Sequence, residues 1–451
     1  MARLTAPRGL APLRHRGFRL LAAGQFASNA GDACYAVALP WYVLAEHGGA
    51  LLLGTVLVAY GVPRTVLLAA GGHASDRWRP WTVMMSTDAV RAVAVGGLAV
   101  AAALGPARAA LLVPIAAVLG AGEGLFLPGS FSAVPALLPD EDLQAGNALA
   151  SAGTQVATLA GPVIGGALVA ILGPAPAFAL DAASFVVSAA TLCGVRAAMR
   201  PSAAGTAPAL RPPDTTAGDV ATGRPTVLAL LRSERILQIS LLITVAANLG
   251  SAGMDEVALP SLAHGPLHAG AAGYGGLIAA FAAGALLGTL GAGQVRRARR
   301  PAVAASVAFL TEALFIAAVP YLGGTLPAGA ALAALGVLNG FGNVVMLTVF
   351  QRWAPPDLLG RLTGLLLTAS FGVFPVSVAL AALVVHGLGP AAFFPLAAVT
   401  VAVPLLAGLS QRTWRDFGMT AQPATAARPG VAATRDNRRA PAAADIVRSA
   451  S

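Results

Sequence analysis

Twelve apolar stretches, each near the length of a membrane-crossing helix, follow one another along this chain. They cover about residues 18–45, 51–72, 83–104, 108–126, 147–172, 176–195, 236–262, 273–294, 303–322, 328–350, 364–387 and 391–409. A bilayer core takes about 20 apolar residues per helix. In lipid every backbone N–H and C=O must be satisfied within the fold, so such stretches form helices, not open sheets. The expected fold is an all-α integral membrane protein of twelve transmembrane helices. Only 11% of the 451 residues are charged and 57% are apolar. A soluble domain carries about 25% charged residues, so the chain lacks the polar cover of a water-facing surface. Its two cysteines, Cys34 and Cys193, can form neither a disulfide framework nor a thiolate zinc site.

The net charge of +10 comes entirely from arginine among the basic residues. The arginines sit in short breaks between apolar stretches, not on one aromatic-interleaved surface, which argues against a nucleic-acid partner. Membrane orientation explains them. With the N-terminus in the cytoplasm, the arginines of the N-terminal segment, of the second, sixth, eighth and tenth loops and of the tail fall on one side. Arg108 is left outside, and Arg64 and Arg91 lie within spans. Trp78, Trp81, Trp353 and Trp414 are expected at inner span ends and Trp41 near an outer end, as an interfacial belt. The first span is too long, and with Asn29 and Asp32 too polar, for a cleaved signal peptide. The expected organisation is a cytoplasmic segment 1–17, a six-helix bundle 18–195, a cytoplasmic linker 196–235, a second bundle 236–409 and a cytoplasmic disordered tail 410–451.

The two bundles echo each other. Asn29-Ala30-Gly31 with Ala38-Leu39-Pro40 resembles Asn248-Leu249-Gly250 with Ala258-Leu259-Pro260, and Pro139-Asp140 parallels Pro356-Asp357. Parallel repeats of this kind mark secondary transporters, whose cargo site lies near mid-bilayer at the repeat interface.

The loop Gly71-Gly72-His73-Ala74-Ser75-Asp76-Arg77 leads into a third span with Asp88 and Arg91 one turn apart, and the fifth span holds Gly161-Pro162-Val163-Ile164-Gly165-Gly166. The loop resembles the signature loop of the major facilitator superfamily through Gly72, Asp76 and Arg77, with Arg79 and Pro80 departing from the pattern. Asp88 and Arg91 resemble the acid and base that commonly follow it. In that family the loop carboxylate latches the two halves together, which makes Gly360 and Arg361 at the start of span eleven its expected partners. Gly161, Pro162, Gly165 and Gly166 resemble the core of the antiporter signature of exporters in the same superfamily. With Phe18-Arg19-Leu20-Leu21, Gly24-Gln25, Asn29-Ala30-Gly31-Asp32 and Asp181-Ala182-Ala183-Ser184-Phe185, the chain is similar to the branch that includes macrolide and siderophore exporters.

An ionisable side chain inside a span costs roughly 2.5–3.5 kcal/mol on insertion scales, so each is a candidate for function. The acids are Asp32, Glu123, Asp181, Asp255, Glu256 and Glu312. Counted from span ends, Asp32, Glu123 and Glu312 fall near mid-membrane, while Asp181 and Asp255 fall toward the outer side. Asp32 and Glu123 are the preferred sites for a proton or a cationic cargo. Asp255 and Glu256 point about 100° apart on a helix, so one of them is expected to face the cavity. His264 and His268 share i,i+4 spacing without a nearby carboxylate or cysteine to complete a metal set. No phosphate-binding Walker loop, nucleophile elbow or zincin motif occurs, so neither an enzyme nor ATP-driven transport is expected.

The resulting expectation is a monomeric, multi-pass transporter of the plasma membrane, with both termini cytoplasmic and lipids as its surroundings. It needs no cofactor beyond a proton gradient, and exports a small amphipathic molecule by alternating access. A lipid translocator of the same fold, or a membrane scaffold, would be the alternatives.

Overall fold

The computed structural model describes residues 8–46, 48–78, 80–106, 108–198, 231–294, 299–354 and 358–419. The greater part of the expected linker and tail falls outside these, as do the side chains of 72–77 and 360–361. The proposed latch residues Gly72, Asp76 and Arg77, and their expected partners Gly360 and Arg361, therefore lie outside the description.

A 3-10 helix, Arg8–Arg14, leads into twelve long helices: α1 Arg16–Ala45, α2 Gly49–Trp78, α3 Pro80–Leu104, α4 Ala109–Leu137, α5 Asp140–Leu172, α6 Pro174–Ala198, α7 Arg235–His264, α8 Gly270–Gln294, α9 Pro301–Ala318, α10 Thr325–Trp353, α11 Leu359–Leu388 and α12 Phe393–Ser410. Eleven of them are long and apolar enough to cross a membrane. The exception is α1, which has the length but carries Arg16, Arg19, Gln25, Asn29 and Asp32. Small residues of α1 meet its neighbours, Gly24 and Gly31 against α6 and Ala33 and Cys34 against α5, while Asn29 and Asp32 turn to the space between the halves.

The same crossings recur in each set of six. In the first, α1 packs on α5 and α6, α2 on α4, and α3 on α4 and α6; in the second, α7 packs on α11 and α12, α8 on α10, and α9 on α10 and α12. The α2–α4 crossing is close because Gly120 and Gly124 lie against the carbonyls of Tyr60 and Arg64, where a Cβ would overlap the backbone. At the matching α8–α10 crossing, Gly336 and Gly340 lie against Phe281 and Ala285 in the same way. The sequence echoes thus correspond to a structural repeat.

Contacts between the halves run through α5–α8 and α2–α11. They gather toward the end remote from the N-terminus: Gly166 lies against Ala271 and Ala272, Gly54 against Ala382, and Trp41 stacks edge-on to His264 with ring centroids 5.1 Å apart. At the opposite end each half closes with its own apolar cluster. Phe18, Met84, Val134 and Leu192 form one, and Leu237, Ala302, Trp353, Trp414 and Phe417 the other. The second cluster corrects the expected aromatic belt. Trp353 and Trp414 are 3% and 0% exposed, and the Trp414 indole N–H donates to Ser306 Oγ at 3.0 Å. These rings seal a core instead of facing lipid, because the short helix Arg412–Arg415 folds back beneath α9 and α7.

Candidate functional site

Two arginines in the first half each meet an acid from a helix distant in sequence. Arg91 Nη2 on α3 donates to Asp32 Oδ1 on α1 at 3.0 Å, and Arg64 Nη2 on α2 lies 2.9 Å from Glu123 Oε1 on α4. Pairing lowers the cost of holding either charge away from water, provided the remaining polar atoms also find partners. Tyr60, one turn before Arg64, donates its hydroxyl to Glu123 Oε2. The Arg64 guanidinium also lies over the Phe371 ring of α11, 4.3 Å from its centroid. Thr65 beside it donates to the Phe371 carbonyl at 3.1 Å. An ion pair of the first half is thereby fastened to the second through a cation–π contact and a hydrogen bond.

Asp88 and Arg91 approach to 4.0 Å, but the shorter contact of Arg91 is to Asp32. Asp88 is fully buried, and neither of its carboxylate oxygens has a hydrogen-bond partner among the described residues. The guanidinium of Arg91 also stacks on Phe185 of α6 at 4.0 Å.

These pairs line a chamber of about 360 Å³ between the halves. Asn29, Asp32 and Tyr35 come from α1, Tyr60 and Arg64 from α2, Arg91 from α3, Glu123 from α4, Asp181 and Phe185 from α6, Glu256 from α7 and Phe374 from α11. Asp181, two turns into α6, lines the chamber with Asp32, and its Oδ1 lies against Gly31.

A second chamber of about 330 Å³ lies between α5 of the first half and α7, α8 and α10 of the second, lined among others by Gln155, Thr158, Asp255, Glu256, Tyr274 and Phe281. Asp255 and Glu256 both line it, and Glu256 lines the first chamber as well. The expectation that only one of this pair faces a cavity therefore fails: the open space wraps around α7 by more than the angle between neighbouring residues.

The cause is local. The Ser377 hydroxyl of α11 donates to Leu249 O at 2.6 Å and accepts from Gly253 N–H at 2.7 Å. It stands between two groups that an unbroken α-helix joins directly. Past this insertion, residues Met254–Ala258 form a π-turn, a widened turn often found at functional sites. Glu312 lies elsewhere, buried between α9 and α10: Asn339 Nδ2 donates to its Oε1 at 3.0 Å, and Oε2 has no partner among the described residues.

The glycines of α5 form two seams. Gly161 and Gly165 face α1, where Cys34 Sγ donates to Gly161 O at 3.3 Å and a Cβ at Gly165 would come within 2.8 Å of Cys34 Cα. Gly166 and Pro162 face α8, where Pro162 O lies against Gly275. The motif thus holds α5 between the two halves. Tyr60, Phe371 and Ser377 were not singled out from sequence, because their roles depend on partners brought from other helices.

Comparison with known proteins agrees with this architecture. The family model described as Major Facilitator Superfamily matches residues 21–377. The multidrug efflux pump Tap of Mycobacterium tuberculosis is 28% identical over 388 residues, covering 84% of this chain and 89% of that protein. The enterobactin exporter EntS of Citrobacter koseri is 27% identical over 359 residues, covering 78% and 81%. Among solved structures, a POT family transporter in complex with a thioalcohol-conjugated peptide superposes with a TM-score of 0.66 at 15% identity, covering 88% of this chain and 96% of that one. A bacterial homologue of the iron transporter ferroportin, in its inward-facing state, gives 0.65 at 15% identity, covering 90% and 99%. The repeated six-helix halves, the chambers between them and a family match over most of the length lead to one assignment: this chain is a multi-pass membrane transporter, not an enzyme, and belongs to the Major Facilitator Superfamily.

Proposed function

We propose that this transporter exports small amphipathic organic compounds, drug-, macrolide- or siderophore-like, in exchange for protons, by alternating access across the plasma membrane with both termini in the cytoplasm. It works as a monomer among lipids and takes its energy from the proton gradient. The observation that carries this reading is the ion-paired chamber: Asp32 and Glu123 each hold an arginine inside the membrane, and one of those arginines also grips the other half. A proton placed on Glu123 cancels the charge that anchors Arg64. The Phe371 contact then loses its anchored cation, so protonation and the contact between halves are linked. Efflux relatives in Mycobacterium and Citrobacter support the direction of transport and the class of cargo.

The test is efflux of ethidium, a macrolide and a catecholate siderophore from proteoliposomes with an imposed pH gradient. Uphill movement of at least one should stop when the gradient is collapsed. Asp32→Asn and Glu123→Gln should each slow it by about a hundredfold or more, the lower range for losing a positioned proton-transfer group, with membrane insertion intact. Wild-type rates and an unchanged pH dependence in both variants would remove these acids from the mechanism.

A further inference from the structure

We propose that the second chamber, between α5, α7, α8 and α10, is the docking site for an amphipathic cation, and that Glu256, shared by both chambers, couples this cargo to the ion-paired chamber. The proposal deepens the exporter reading above by giving the cargo a place and a charge.

The two chambers differ in what balances their acids. In the first, the carboxylates of Asp32 and Glu123 already have arginine partners. In the second, Asp255 and Glu256 accept no hydrogen bond and form no ion pair among the described residues, and no arginine lines the walls. Among the described residues the arginines of the second half stand in loops or at helix ends, and the cation that Glu256 feels is Arg64 of the first half. Glu312 adds further negative charge within electrostatic reach of Asp255, and its Oε2 is buried without a partner among the described residues.

Around these acids stand Tyr274, Phe281 and aliphatic side chains. Aromatic faces and carboxylates attract the same ligand, a cation with apolar flanks, the rings through their quadrupole and the acids through their charge. A volume of about 330 Å³ lies at the lower end of the range for small-molecule pockets, roughly 300–1,000 Å³. An anion would meet unpaired carboxylates and no donor strong enough to offset them. Gln155 and Thr158 of α5, with Ala36 of α1, form the wall contributed by the first half, so a bound molecule touches both halves.

Glu256 makes the link. It lines the ion-paired chamber too, within electrostatic reach of Arg64. A cation seated at Asp255 and Glu256 neutralises the charge that Arg64 shares with Glu256 and repels a proton from the acids nearby, leaving Arg64 to Glu123 alone. Cargo in the second chamber and a proton in the first therefore oppose each other, which is the sign an exchanger needs.

The experiment is equilibrium binding of tetraphenylphosphonium, and of its anionic isostere tetraphenylborate, to the full-length protein in lipid nanodiscs. The phosphonium should bind at least about tenfold tighter than the borate, and Asp255→Asn and Glu256→Gln should each weaken it by about tenfold, the scale of one lost charge contact. A second measurement is made in a chain that keeps both acids. In a Cys193→Ser background, maleimide labelling of Thr158→Cys should slow several-fold at saturating phosphonium. Binding unchanged in both acid variants, equal affinity for the borate, no phosphonium binding at all, or an unaltered labelling rate would each overturn the assignment. If the phosphonium binds as described but no gradient-driven efflux occurs, the exporter reading fails and the site stands. If efflux of another compound proceeds without phosphonium binding, the site fails and the exporter reading stands.

Discussion

The two halves repeat the same helix crossings and bury different chemistry in them. Gly120 and Gly124 set α4 against Tyr60 and Arg64 of α2, as Gly336 and Gly340 set α10 against Phe281 and Ala285 of α8. Carried through this correspondence, Arg64 faces Ala285 and Glu123 faces Asn339. The first half thus holds a cation and an acid where the second holds a methyl group and an amide. Among the described residues, Asp255, Glu256 and Glu312 of the second half form no ion pair with an arginine of their own half, and Glu256 only shares the field of Arg64 across the chamber. A duplicated scaffold can therefore divide its work: the first half holds two close arginine–acid pairs, Asp32–Arg91 and Glu123–Arg64, and the second holds none among the described residues.

The largest expected effect comes from unpairing the first half. Arg64→Leu leaves the Glu123 charge without its cation and should cost about 3–5 kcal/mol, read as a fall in thermal unfolding temperature in detergent. Arg64→Leu with Glu123→Leu should recover most of that loss. A single variant that unfolds like wild type would show that pairing does not hold this half together.

Next in size are the seams that each half uses at equivalent places. Gly165→Leu pushes a side chain into the Cys34 backbone on α1 and should cost about 1–3 kcal/mol by overpacking. The counterpart seam between α7 and α11 depends on a hydroxyl. Ser377→Ala should cost about 1–2 kcal/mol through its two hydrogen bonds. It should also speed or slow amide exchange specifically across 249–258, because the inserted group that precedes the π-turn is gone; exchange unchanged there would separate Ser377 from the π-turn.

The smallest effect is expected in the open half. Asp255→Asn removes a charge that no partner balances, so stability should stay within about 1 kcal/mol of wild type or rise. A loss as large as that of Arg64→Leu would mean that the second half pairs its acids after all, and the contrast between the halves would disappear.

Much of the fold was legible in the sequence because lipid leaves few options: long apolar stretches must be helices, and their number and the arginine pattern set the order. Asp32 and Glu123 stood out for the same reason, as charges where charge is expensive. Arg64 and Arg91 stood out too, but their pairing with these acids did not, since Arg91 is 59 residues from Asp32 in the chain and no periodicity joins α1 to α3. The meeting of Asp181 with Asp32 was not legible either, because it joins α6 to α1 across the fold. Trp353 and Trp414 read as interfacial because aromatic residues at span ends usually are, but here the chain folds back to bury them. Asp255 and Glu256 sit on a π-turn that follows a hydroxyl brought from α11, an irregularity that no local pattern signals.

The central claim is that the two halves move against each other around their shared chambers. It is tested most directly by spin-label distances measured in the same preparation at the two ends of the α5–α8 interface: Ala148 to Leu290 at the end near the termini, and Leu172 to Ala272 at the far end. On adding cargo and acidifying the far side, the first distance should shorten while the second lengthens. Two distances that stay fixed, or that change in the same direction, would contradict the account.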